Sequence, residues 1–506
     1  MSEALVMVRH PAPRRIFVRS AAAVHRRRRL WAVLACLLVS LGSALVLLFL
    51  EPSVRILAAP AMAVAVTSTV FMMVLWTRDG SPPVFEAGTL CMLAISVYGT
   101  LPMVGFIMMD GQWDRFSDGR LFAYPFVASE LAAFGWRYAV YAVSFAATYL
   151  LVRGRTAVRT TAFVFPKAAT QTAVIVVFAA LYVCKIVLKL GYGYDPDDFD
   201  YTDPTAALAK TQGQPYFIQQ IAHNLLSALF VVQLAVIVLL LAHWRKRWCR
   251  YVLVVWIGTE VLSTAIRLGS RGRVVLLLIS AGILYHRLVK RLSFRTLAIG
   301  GSLLLSGFLL LGAIRVVQPG DAMQQRAGHV LTAGNEFQGL FTTAFDIHKR
   351  KEAGEIRSVP WQVFYSDFYL PIPSQLLPFE KIDPSSWYID LIGQTGAGVG
   401  YMFGVMSQAA VGFDWIELVA RGALLALCLA LLHRWYVRRA LRFWPTLLYL
   451  FVSIWAYYTF RASTFYFVYF VIYHFVPVLI VTKLIERLAS RVHGAKANRT
   501  MEPAGA

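Results

Sequence analysis

WIGTEVLSTAIRLGSRGRVV, residues Trp256 to Val275, sets three arginines, Arg267, Arg271 and Arg273, in a glycine-broken turn between two apolar runs. The side of a membrane that this turn meets decides how the chain is read. Short cytoplasmic connections collect Lys and Arg, and connections on the opposite side do not. A cluster of arginines on the far side therefore calls for an anionic ligand.

Working outward from that turn, 58% of the 506 residues are hydrophobic and long apolar runs recur along the chain. They sit at 30–50, 54–76, 84–108, 131–152, 171–190, 216–242, 251–267, 273–287, 296–316, 414–433, 443–460 and 464–482. Each is close to the ~20 residues that a bilayer core requires. The predicted fold is an all-α polytopic membrane protein with about twelve transmembrane helices. The net charge of +22 does not imply nucleic acid, because the basic residues cluster in short connections flanking apolar runs. Five cysteines without CxxC or a pairing pattern give no sign of disulfides or zinc.

Loop charge sets the orientation. The N-terminal arm with Arg26 to Arg29, then Arg153 to Arg159, Arg245 to Arg250, His286 to Arg295, His433 to Arg442 and the tail after Lys483 are all basic. With about twelve spans they share one side, the cytoplasmic one, which also takes both termini. The run from Leu30 to Leu50 is long enough to span and is read as an uncleaved anchor. The predicted organisation is a basic cytoplasmic arm at 1–29, a first bundle of about nine spans at 30–316, a large loop on the opposite side at 317–413, about three last spans at 414–483 and a basic cytoplasmic tail at 484–506. A loop of that length is either functional or disordered, and its aromatic content argues for order. Its end, Gly396 to Gly412, is apolar and glycine-rich. Counting it as a span would put the basic 433–442 connection outside, so it is predicted to be a re-entrant or interfacial helix packed on protein.

This topology places Arg267, Arg271 and Arg273 at the non-cytoplasmic surface, with Arg315 at the start of the long loop and Arg461 in the turn FRAST. Guanidinium forks bind phosphate oxygens bidentately, and Gly269 and Gly272 let the turn's backbone come close to a ligand. The plainer alternative is that these arginines snorkel to lipid headgroups. Glu260, two helical turns before Arg267 on the same face, is either part of that site or half of an internal ion pair. Arg326 to Arg350 has helical periodicity, with an apolar stripe of Val330, Phe337, Leu340, Phe341, Ala344 and Phe345. His329, Glu336, Thr343 and Arg350 line its edge, on a helix predicted to lie on the membrane surface. Glu336 or His329 can serve there as a general base, or the edge is merely solvated. The aromatics between Pro360 and Tyr388 suit either sugar rings or an interfacial belt. No Walker loop, dinucleotide fingerprint, HExxH or GxSxG occurs.

GSRGRVVLL from Gly269, GNEF from Gly334, DFYLPIPSQLLP from Asp367 and GAGVGYMFGVMSQAAVGF from Gly396 resemble segments of the O-antigen or oligosaccharide repeat unit polymerases (Wzy-type). In hydropathy and loop placement the resemblance covers most of the chain. It implies a GT-C-like fold in the bacterial inner membrane and a metal-independent, cofactor-free glycosyl transfer at the periplasmic face. The substrate implied is an undecaprenyl-pyrophosphate-linked oligosaccharide. Arg267, Arg271, Arg273, Arg315 and Arg461 would hold the pyrophosphate, Glu336 or His329 would take the acceptor proton, and Glu260 and Arg326 would support them. A chain-length regulator and a flippase are the implied partners. Gln408 stands where the family pattern has glutamate, so that position is given no proton-transfer role. An O-antigen ligase and a lipid-linked oligosaccharide flippase or other secondary transporter are the alternatives, and the absence of an internal repeat weighs against a transporter.

Overall fold

The computed structural model describes residues 36–79, 86–108, 126–154, 163–192, 216–267, 271–293, 336–393, 402–439 and 442–499, with a few isolated positions and short pieces between 295 and 307. The architecture is all-α, and the β-type pairing among the described residues is one isolated bridge between Val164 and Arg442.

Before the long loop come α1 (Cys36–Phe49), α2 (Pro52–Asp79), α3 (Ala87–Met108), α4 (Ala128–Arg153), α5 (Ala168–Tyr192), α6 (Tyr216–Ala242), α7 (Arg247–Arg267) and α8 (Arg271–Leu288). The loop contributes α9 (Glu336–Glu352), two single-turn helices at Trp361–Phe364 and Ser366–Tyr369, α10 (Pro384–Leu391) and α11 (Val405–Val411). The chain ends with α12 (Trp415–Arg438), α13 (Phe443–Trp455) and α14 (Val476–Arg499), the last continued from Tyr466–Phe470 through a π-helical turn at Val471–Phe475. Among the described residues five helices are long and apolar enough to cross a membrane: Pro52–Arg78, Ala87–Met108, Ala168–Leu188, Trp415–Arg438 and Tyr466–Ser490. Ile175, Val183, Ile186 and Val187 on α5, and Ile480, Val481, Leu484 and Leu488 on α14, face outward. A soluble helix would carry charge at such positions, so these faces mark a membrane protein.

Two apolar clusters form the interior. One gathers α2, α3 and α4 with α9 and α12; the other gathers α5, α6 and α8 with the C-terminal helix. The sequence of α13 explains why it belongs to both. Leu447, Leu450, Phe451 and Ile454 recur at helical spacing on the face turned to the second cluster. Tyr449 and Val452 occupy the face turned to the first.

The helical body has two distinct ends. At one, Arg78 Nη1 donates to Leu150 O at 2.6 Å, Arg434 Nη1 to Val152 O at 3.2 Å, and Arg442 bridges Val164. His243 meets Gln171 there at 3.4 Å, and the Arg287 guanidinium lies over the rings of Tyr436 and Tyr449. The basic connections around 243, 287 and 433–442 thus share this basic end. The opposite end, where α3 finishes and α4 and α12 begin, carries α9, α10 and α11.

The described part of the short apolar piece before α12 holds one short helix. Residues 396–401 of the stretch lie outside the described part; α11 has seven residues, all buried. The expectation for α9 needs correction. Its stripe does not lie along a membrane surface: Phe337, Leu340, Phe341, Ala344 and Phe345 are buried among α3 and α4. Phe341 meets Phe134 at 5.2 Å edge-on, stacks on Tyr138 at 5.8 Å and touches Phe106 at 5.6 Å. An aromatic stripe gains more from close ring packing inside the bundle than from lying flat in a headgroup layer.

Candidate functional site

At the loop end stand three polar groupings, of which the first and third tie the loop to the helical body. The most deeply buried centres on Asp367, in the second single-turn helix. Asp367 Oδ1 accepts the backbone N–H of Phe465 at 2.8 Å, and Oδ2 accepts Gln408 Nε2 at 3.1 Å and Arg421 Nη1. Arg421 Nη1 also donates to Gln408 Oε1 at 3.0 Å and Thr464 Oγ1 at 2.9 Å, and its Nε donates to Glu417 Oε1 at 2.5 Å. Glu417 Oε2 accepts Phe413 N at 3.0 Å. Glu417 and Arg421 are one turn apart on α12, so a single helix face presents both charges. Burial on this scale is tolerated because every charge has an opposite charge and further hydrogen bonds. All four carboxylate oxygens of the network accept a hydrogen bond. Two glycines make room for it: a Cβ at Gly412 would collide with Glu417 Oε2, and one at Gly404 with the carbonyl of Phe460.

The second grouping holds α10 against α9. Asp346, buried on α9, accepts Arg350 Nε and the Tyr388 hydroxyl, each at 2.8 Å. Arg350 Nη1 continues to Glu355 at 2.8 Å, and Tyr124 donates to the same carboxylate at 2.5 Å. Burial works against the Arg350 charge, but Asp346 and Glu355 together with Tyr388 outweigh it and raise the guanidinium pKa. α10 starts as its sequence dictates: Asp383 accepts Ser386 N at 2.9 Å as the N-cap, with Pro384 in the first turn.

The third grouping is the most open to solvent. Arg137 of α4 grips Asp414 with two parallel bonds of 2.7 Å and lies over the Trp415 ring at 4.8 Å. Asp414 has a φ of 53°, the one non-glycine residue with positive φ among the described residues. His348 Nε2 stands 3.1 Å from Arg137 Nη2 and 3.1 Å from Glu352 Oε1. A neutral ring can accept from the arginine through that nitrogen, and a protonated one can donate to the glutamate. Burial first and Arg137 second lower the His348 pKa. Lys349 joins Glu130 and Glu352, each at 3.0 Å, and the Glu130 bond raises its pKa. Burial disfavours the Glu352 charge, but the Lys349 bond and His348 outweigh it, and its carboxyl titrates below the usual range.

The basic end has its own buried network. Glu86 accepts both Arg153 Nε and Arg153 Nη2, the latter at 2.8 Å, and Tyr149 OH at 2.6 Å. His433 lies 3.6 Å from the same carboxylate and 2.8 Å from the Tyr449 hydroxyl. Beside it a cavity of about 10 Å³ is lined by Arg287, Tyr436 and Tyr449, space for no more than one water. A larger cleft of about 270 Å³, between α12, α13 and the segment from Phe467 to Val471, is lined by apolar residues and Cys428. Neither lies at the loop end.

The sequence-predicted site residues fall as follows. α7 ends at Arg267 and α8 begins at Arg271, so the arginine turn does join two helices; residues 268–270 and the side chains of Arg267, Arg271 and Arg273 lie outside the described part. Glu336 opens α9, its side chain also outside that part, as are Arg315, Arg326 and His329. Arg461 is described. Its Nε donates to Met402 Sδ at 3.4 Å and its guanidinium lies over Tyr458, at the edge of the Asp367 network. Glu260 accepts the Tyr182 hydroxyl at 3.3 Å and the Gln233 amide at 3.5 Å, partners that are both neutral. Of the edge spaced by sevens, Thr343 is buried and Arg350 is held by Asp346.

The sequence reading missed Arg137, His348, Asp414, Glu417 and Arg421, and left Asp346 and Asp367 without a role. Arg137, Glu417 and Arg421 carried a usable signal, being ionisable residues within or just entering apolar helical segments. Comparison with protein-family models, with curated proteins and with solved structures finds no match to this chain.

Proposed function

We propose that this chain polymerises undecaprenyl-pyrophosphate-linked oligosaccharide repeat units at the periplasmic face of a bacterial inner membrane, making O-antigen or a related surface polysaccharide. One observation supports this reading above the others. Segments that carry the resemblance are far apart in sequence and meet in space: Asp367, which opens DFYLPIPSQLLP, accepts the amide of Gln408, which lies in GAGVGYMFGVMSQAAVGF, at 3.1 Å. α9, which GNEF opens, buries its apolar face in the same cluster as Val405, Met406 and Ala409 of α11.

In this reading about twelve spans place the loop end in the periplasm and the basic end, with both termini, in the cytoplasm. Arg267, Arg271, Arg273, Arg315 and Arg461 hold the pyrophosphate of the donor. The bond between the donor's anomeric carbon and its phosphate oxygen breaks, the acceptor hydroxyl takes over that carbon, and the lipid pyrophosphate leaves with its charge stabilised by guanidinium groups. Glu336 or His329 accepts the hydroxyl proton, with Glu260 and Arg326 in support. The three groupings described above hold the loop in place over that chemistry. A flippase supplies the substrate and a chain-length regulator sets the product size.

The test is the purified protein, reconstituted in liposomes with a defined lipid-linked repeat, together with the glycan made by a deletion strain. The expected outcomes are polymer in vitro and a single capped repeat unit in the strain. Arg267→Ala and Arg271→Ala are expected to abolish polymer while still inserting in the membrane. Long unattached lipid-linked polymer in the strain would point to a ligase, and precursor retained on the cytoplasmic side to a flippase.

A further inference from the structure

The loop segment from Trp361 to Leu376 buries polar groups and exposes apolar ones. Two of its polar side chains point inward: Ser366 and Asp367 are bonded to Gln408, and Asp367 also to Arg421. Val363 and Tyr369 are buried beside them, but several of its large apolar side chains point outward. Trp361, Tyr365, Phe368 and Ile372 are all exposed. Phe368 is 67% exposed and Leu376, a few residues on, 73%. A loop in water presents the opposite pattern, because exposed apolar area costs about 25 cal/mol per Å².

This outward face is continuous with one that already belongs to the bilayer. Phe364 contacts Phe413 edge-on at 5.7 Å, and the rings run on through Tyr365 to Phe368. Phe413 lies two residues before α12, one of the helices apolar enough to cross a membrane, and Ile416 on its first turn is 76% exposed.

The backbone of the segment is also fitted for a place with little water. Lys381 Nζ donates to the carbonyls of Leu370, at 3.1 Å, and Ile372. The Tyr369 hydroxyl lies between the carbonyls of Gln362 and of Ile382, the latter at 2.9 Å. Pro371, Pro373 and Pro378 have no N–H to leave unpaired. Non-helical backbone at membrane depth requires this kind of internal satisfaction.

We infer that the segment Trp361–Leu376 is immersed in the lipid leaflet at the loop end, with Tyr365, Phe368, Ile372 and Leu376 among the acyl chains, so that the long loop is held to the membrane surface independently of the helices that flank it. The bilayer is the occupant because the exposed face adjoins that of α12. The inference needs only that α12 crosses the membrane, and it stands or falls separately from the polymerase reading.

Spin labels on single cysteines test it. In the full-length chain with its five native cysteines replaced by alanine, Phe368→Cys and Leu376→Cys are labelled in proteoliposomes of phosphatidylethanolamine and phosphatidylglycerol. Collision with oxygen, which enters lipid, is compared with collision with a water-soluble nickel chelate. Leu424→Cys on the exposed face of α12 is the lipid reference, and Ser358→Cys on the exposed loop is the water reference. Expected is an oxygen-to-nickel ratio several-fold above that of Ser358→Cys and close to that of Leu424→Cys at both test positions. A ratio like that of Ser358→Cys would overturn the inference by placing the face in water. Protection from both reagents would overturn it too, because a second chain or another part of the protein would then cover the face. Both test residues are exposed, so the substitutions remove no buried contact, and monodisperse elution before reconstitution confirms that each variant has folded.

Discussion

Arg421 Nη1 donates to the Asp367 carboxylate across 54 positions of sequence, and the two side chains are among the most enclosed charges in the protein. Through them a helix crossing the body and a turn of the long loop are fixed to one another. The pair is worth most as a constraint on where the loop sits, because the cost of dehydrating two ions offsets much of their attraction.

Removing one partner of such a pair strands the other. Arg421→Met is expected to cost about 3–5 kcal/mol of stability, since Asp367 and Glu417 both lose their counter-charge. Arg421→Met combined with Asp367→Leu should recover part of that loss. Unfolding of the purified variants in detergent would show this; a double variant less stable than the single one would contradict it.

Gly404 and Gly412 make different demands. The Phe460 carbonyl that a Cβ at Gly404 would strike is backbone and cannot move aside, whereas at Gly412 the obstacles are the side chains of Glu417 and Phe364. Gly404→Ala should therefore be the more damaging change, with a much lower yield of folded protein. Gly339→Ala, with nothing within 4 Å of the new methyl, is expected to be neutral or slightly stabilising. Size-exclusion profiles and melting temperatures of the three variants rank them directly.

Asp414 separates a backbone effect from a charge effect. Its φ of 53° is uncomfortable for a residue with a Cβ, yet its carboxylate is held by Arg137. Asp414→Gly and Asp414→Ala both lose the carboxylate, and only the glycine variant relieves the backbone. The glycine variant should be more stable by about 1–3 kcal/mol. Equal stabilities would show that the conformation changes once the ion pair is gone.

The His348 cluster makes stability depend on pH. Burial and the facing Arg137 hold the His348 pKa below its ordinary value, with Lys349 adding to that effect and Glu352 and Asp414 opposing it. The unfolded chain then takes up a proton near the ordinary value of ~6.5, and the folded protein only at lower pH. The stabilisation is full above ~6.5 and is lost as pH falls through the folded value. Melting temperature should decline across that window, and His348→Gln should flatten the decline. An unchanged pH profile in the variant would remove His348 as its cause.

Much of the helical framework was legible in the sequence. α2 to α8 and α12 fall on the apolar runs, because a run of that length and composition has few ways other than a helix to satisfy its backbone away from water. The stretch 396–412 was expected to be a short helix packed on protein, from the charge of the connection after α12, and its described part holds the buried α11. The candidate site was legible in part. α7 ends at Arg267 and α8 begins at Arg271, with the turn between them outside the described residues, while Asp346 and Asp367 could not be told apart from other loop carboxylates. Spacing reports neighbours within one helix, and their partners Tyr388, Gln408 and Phe465 come from elsewhere in the chain.

The sequence by itself determined an all-α membrane protein, the stretches that become its helices and the clustering of basic connections at one end. Those follow from local composition, which sets the cost of exposing backbone and charge. Only the tertiary structure decided which way the amphipathic elements face. The stripe of α9 turned inward onto Phe134 and Tyr138, and the aromatic face of Trp361–Leu376 turned outward. Periodicity identifies an apolar face, and the surface it meets depends on what the rest of the chain brings to it.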